Sequence, residues 1–139
     1  MHKRVAVVFV VAIAVMAVSA ALAPARVTNV KSTLTIGSRV NETGVEFRGG
    51  VETRNNSYCA QRRIVELFRD GKKVDRAETD RYGVWTAGVE GGGTGTYVAK
   101  AKKRQLPASM QRQPGKAHRI FCKAAQSKPH KVPEESYVG

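Results

Sequence analysis

The chain of 139 residues is poor in cysteine, histidine and acid: two Cys, three His, and 11 Asp plus Glu against 24 Lys plus Arg. Two cysteines and scattered histidines do not make a four-ligand zinc set, so no metal site or other cofactor is expected. Only His118 and His130 lie beyond the N-terminal segment, too few for chemistry that needs a base beside a nucleophile or several ring nitrogens. No Asn follows Asn56, which removes the acceptor that a Lys–Asn crosslink to a last strand would need. No Cys stands at the end of the apolar N-terminal run, which excludes a lipoprotein anchor, and no second run of that length follows. No stretch of eleven or more residues beyond it carries apolar positions at helical spacing.

What is present begins with an export signal. His2, Lys3 and Arg4 precede a run from Val5 to Ala23 in which Ser19 is the sole polar residue, and small residues close it. Cleavage after Ala20 and after Ala25 both satisfy the small-x-small rule. The alternative is an uncleaved anchor formed by residues 5–23. Losing residues 1–25 removes two bases and no acid, leaving a charge of about +11. The expected location is extracytoplasmic or secreted.

An oxidising compartment favours pairing Cys59 with Cys122. Closing so long a loop is worth roughly 4 kcal/mol on the chain-entropy estimate.

The mature chain alternates at period 2 between turn signals. Strands are expected at 33–36, 45–53, 64–69, 74–79, 84–89, 96–101 and 119–124. Asp70-Gly71-Lys72-Lys73 reads as a hairpin turn, with Asp-Gly supplying the positive φ, and Asp80 to Gly83 as another reversal. Gly49-Gly50 marks a bulge or a close backbone approach. Trp85, Ala87 and Val89 share one face, as do Tyr97, Ala99 and Ala101, with Trp85 at the centre of the core. Residues 37–44 read as a polar turn, 102–118 as an exposed loop with a helical turn near 108–111, and Gly91 to Gly93 as a linker.

The expected fold is all-β: a seven-stranded, two-sheet sandwich with one disulfide, behind a signal helix. Its domains are a signal peptide at 1–25, an extension with a first strand at 26–44, the sandwich at 45–125 and a disordered tail at 126–139. A barrel is the alternative.

Arg63-Ile64-Val65-Glu66-Leu67-Phe68, Thr79-Asp80-Arg81-Tyr82-Gly83-Val84-Trp85 and Gly95-Thr96-Tyr97-Val98-Ala99 together resemble the transthyretin-like (prealbumin-like) sandwiches typified by carboxypeptidase regulatory-like domains. The likeness implies that Thr79 and Asp80 organise a turn, Gly83 takes a left-handed position, and Trp85 and Tyr97 enter the core. Tyr58-Cys59-Ala60-Gln61 departs from the pattern, which usually has Gly and Pro before that strand. The chain also looks like small exported bacterial proteins with a Cys before that strand and another near the C-terminus. Some transthyretin-related proteins hydrolyse ureides with several histidines and a Tyr-Arg-Gly-Ser terminus; this chain has neither.

Lys100 to Lys131 holds ten basic residues and no acid. Within it, Lys100, Lys102, Lys103 and Arg104 are candidate contacts to a phosphate or sulfate polymer, with Lys100 and Lys102 facing solvent. No aromatic is interleaved on that solvent face, so stacking on single-stranded nucleic acid is not expected. The functional expectation is a non-catalytic exported interaction or accessory module. Its partner is a protein or an anionic cell-surface polymer; the alternatives are a cationic polymer binder and a small secreted enzyme.

Overall fold

The computed structural model describes residues 26–107 and 118–134. The expected signal segment, the helical turn expected near 108–111 and the last five residues lie outside that range.

The described residues are all-β, with one 3-10 turn at Ser57–Cys59. They form more strands than the seven expected: twelve, several of two or three residues. The first three are β1 (Arg26–Val30), β2 (Ser32–Leu34) and β3 (Gly37–Asn41), followed by the long β4 (Gly44–Thr53). Next come β5 (Ile64–Arg69), β6 (Lys72–Glu78), β7 (Val84–Glu90) and β8 (Gly95–Ala101). The last four are β9 (Arg104–Gln105), β10 (His118–Cys122), β11 (Ala125–Gln126) and β12 (His130–Val132).

One sheet centres on β4, with β2 and β3 along one edge and β7 along the other. A second runs β11-β8-β5-β6, and β12 also pairs with β8. The inward positions of these two sheets meet in one core that includes Val45, Phe47, Leu67, Trp85, Tyr97 and Ala99. A small third sheet, β1-β10-β9, carries the only parallel pairing among the described strands. Its own core is Val30, Cys59, Leu106 and Cys122, so the disulfide Cys59–Cys122 sits buried at the centre of a satellite cluster.

Local chemistry explains the best-defined elements. β5 and β6 are joined by Asp70 (φ 46°) and Gly71 (φ 82°), the two positive φ values that a tight hairpin matched to strand twist requires. Asp80 Oδ1 accepts from the backbone N–H groups of Tyr82 and Val84, and Gly83 adopts φ 80°, so the next reversal is closed by side chain and glycine together. Trp85 is buried and donates through Nε1 to the Thr35 carbonyl, while Tyr97 Oη donates to the Gly93 carbonyl. Thr79, also buried, donates to the Ala60 carbonyl and accepts from the Arg63 N–H.

Gly49 is a close approach: a Cβ there would strike the Thr35 carbonyl and the Trp85 indole nitrogen. The ladder between β4 and β7 runs unbroken through Gly49 and Gly50, so no bulge lies there.

Three expectations are corrected. Residues 37–44 are not one turn: Gly37–Asn41 pairs with β4, and the reversal is confined to Glu42 and Thr43, where Asn41 Oδ1 accepts from the Thr43 and Gly44 N–H groups. Loop 102–118 contains β9, and Leu106 is fully buried. The tail is not structureless from 126 onward, because β12 pairs with β8 and buries Val132. His130 sits within hydrogen-bond distance of Ser38 (2.6 Å), and its ring edge faces Phe47.

Candidate functional site

The outer face of the second sheet is built by alternation. On β5, Val65 and Leu67 point into the core, which sends Glu66 and Phe68 outward. Glu66 stands opposite Lys100 on β8 and opposite Arg76 on β6, so one acid has a base on either flank. The register then slips between Leu67 and Phe68, which brings Lys73 opposite Phe68 and lets its ammonium reach Glu66 Oε2 at 2.6 Å. Lys102 follows β8 and donates its N–H to the Ile64 carbonyl; its ammonium lies 3.2 Å from Glu66 Oε1.

Two lysines, Lys73 and Lys102, thus hold one carboxylate, and Arg76 and Lys100 occupy the register positions on either side of it. Glu66 is nearly buried, whereas Lys73, Arg76, Lys100 and Lys102 are exposed. The hydrogen bond from Lys73 holds the Glu66 carboxyl below the usual carboxylate range; desolvation opposes this, and Lys102 reinforces it. Lys100 rests over the Phe68 ring with Nζ 4.6 Å from its centroid. The cluster carries a net charge of about +3, with its ammonium groups positioned by a fixed acid and a ring rather than left to wander.

The structure divides the basic segment expected from the sequence. Lys100 and Lys102 join the sheet face. Lys103 lies over Phe121 of β10, 4.8 Å from its centroid. Arg104 turns toward the backbone, donating to the carbonyls of Gln61 (2.7 Å) and Arg62 (3.2 Å), so its charge braces a loop. Conversely, Lys73 and Arg76 belong to the face although they lie far from that segment in the chain. Their signal was the Asp-Gly hairpin, which folds β6 back along β5. Phe68 corrects the reading that no aromatic is interleaved on this face; it arrives from the neighbouring strand β5 and is covered by Lys100.

The remaining sequence candidates are architectural in placement. Asp70, Gly71, Thr79, Asp80, Gly83, Trp85 and Tyr97 hold turns and core as described above. Arg63 was missed. It is fully buried, donating to the carbonyls of Cys59, Lys102 and Lys123 and to Ser32 Oγ. Burial, and secondarily the charge of Arg104, lowers its pKa. Its Nε has no partner. Nothing in a strand-edge "Arg-Arg-Ile-Val" distinguishes the buried arginine from its exposed neighbour.

Among the described residues no group of three or more His, Cys, Asp or Glu is placed to hold a metal. No described helix is long and apolar enough to cross a membrane. Ser38 and His130 form a hydroxyl–imidazole pair joining the two main sheets. The His118 side chain lies outside the described range. Searches against protein-family models, curated proteins and solved structures gave no match to this chain.

Proposed function

We propose that this chain is an exported, non-catalytic β-sandwich of the transthyretin-like kind that binds an anionic polymer at the cell surface through the outer face of β6, β5 and β8. The carrying observation is the cluster of Lys73, Arg76, Lys100 and Lys102 around Glu66. Its ammonium groups are held in place before any ligand arrives, which lowers the ordering cost of a multivalent ionic contact. The signal-like N-terminus and the buried disulfide support an extracytoplasmic setting. The turn formed by Asp80, Gly83 and Trp85 supports the family likeness, because each residue takes the part that pattern assigns to it.

The test is the salt dependence of binding to inorganic polyphosphate. Wild-type affinity falls steeply as salt rises, and the quadruple replacement of Lys73, Arg76, Lys100 and Lys102 by Gln flattens the slope by up to about three to four in log–log units. Neutralising Lys103 instead has a smaller effect, since it lies off the face. A slope that the quadruple change leaves untouched refutes the assignment.

A further inference from the structure

At one end of the same face, residues 61–62 and 78–82 line a recess of about 520 Å³, within the size range of small-ligand sites. Glu78 connects the two surfaces: it lines the recess and pairs with Ile64, whose carbonyl takes the N–H of Lys102.

The recess wall is stiff and chemically mixed. Tyr82 is 72 % exposed, the most exposed large hydrophobic side chain among the described residues, and the turn carrying it is fixed by Asp80. The Arg81 guanidinium lies 4.8 Å from the centroid of its ring. Across the recess, Arg62 adopts φ 49°, a conformation uncommon for a side chain of this size. Its N–H donates to the Thr79 carbonyl and its own carbonyl accepts from Arg104, so the backbone is held in that conformation from both sides.

We infer that this recess seats one acidic sugar unit of the polymer, a uronate, so that the ligand is an acidic polysaccharide rather than a bare phosphate chain. Arg62 and Arg81 are planar forks suited to a carboxylate. Tyr82 offers an aromatic surface to the C–H face of a sugar ring. Glu78 and Asp80 are wrong for an unbroken polyanion, which they repel, and right for a ligand that interleaves hydroxyl donors with its carboxylates. The inference rests on the polymer-binding reading and adds selectivity to it.

The test compares binding of the secreted protein to polygalacturonate and to inorganic polyphosphate at equal salt. Wild type favours polygalacturonate by about tenfold or more. Tyr82→Ala removes that preference while leaving polyphosphate binding unchanged. Arg62→Asn, which suits the left-handed backbone, does the same and guards against a folding artefact. Equal wild-type affinity for both polymers, or a preference that survives both substitutions, overturns the recess and leaves the sheet-face reading standing. Binding to neither polymer overturns both.

Discussion

Arg63 donates through Nη1 to the carbonyl of Cys59 at 2.8 Å, so a buried guanidinium stands directly behind the disulfide. Through Nη2 it also holds the carbonyl of Lys123, the residue after Cys122, at 2.9 Å. The same cation therefore braces both ends of the covalent link, and among the described residues no carboxylate pairs with it. Backbone carbonyls do that work, much as they do at a helix C-terminus.

Replacing Arg63 by Met keeps much of the apolar stem and strands four acceptors. Hydrogen bonds from a charged donor are worth about 1.5–3 kcal/mol each, and partial access of water softens their loss, so Arg63→Met should lower stability by about 3 kcal/mol or more. Urea unfolding followed by Trp85 fluorescence measures it. A loss below about 1 kcal/mol would mean that the carbonyls find water easily.

Reduction of Cys59–Cys122 should cost roughly 2–4 kcal/mol, because the bond closes a loop spanning 63 positions and lies in the satellite core. Intact mass with and without reductant establishes the bond through the gain of two hydrogens, and thermal melting gives its worth. An unchanged melting temperature would show that β1, β9 and β10 hold together by packing alone.

Removing residues 130–139 should destabilise the domain, since β12 covers the β8 edge and Val132 belongs to the main core. Burying a Val side chain contributes about 1.5–3 kcal/mol, to which the lost strand pairing adds. Thermal melts of the truncated and the full chain decide the matter, and equal stability would count against the place of β12 in the core.

Glu66 fixes the sign of an acid effect. Its carboxyl is held below its ordinary value in the folded protein, so the unfolded chain takes up the proton first as pH falls. The stabilisation it contributes is complete above the ordinary carboxylate range and disappears as pH falls through the lower folded value. Glu66→Gln should therefore remove that part of the acid-side decline, visible in melts recorded from neutral pH downward. An identical pH profile would show that Lys73 and Lys102 do not hold it.

Gly49 should refuse a side chain. Gly49→Ala drives a methyl group against the Thr35 carbonyl and the Trp85 indole, and a loss of about 2–4 kcal/mol is expected from overpacking and the broken hydrogen bond. Gly88→Ala on β7, which meets only ordinary contact, is the control.

The local sequence was a good guide wherever the determining interactions lie close in the chain. The period-2 runs located β4 to β8, Asp70-Gly71 set the hairpin register, and Asp80 to Gly83 closed the next turn, because side-chain direction and positive φ are local properties. The cysteine count and the expected export were enough to pair Cys59 with Cys122. The short strands were not legible. β1, β9, β11 and β12 are two to five residues long, and partners distant in sequence define each as a strand.

The candidate site divides in the same way. Composition alone established that the chain is basic, and alternation alone turned Lys100 outward. Only the tertiary structure decided which bases act together. It brought Lys73 and Arg76 to Glu66, withdrew Arg104 into a loop brace and buried Arg63, because charges group by distance in space, and strand pairing, which sets those distances, depends on register between separate segments.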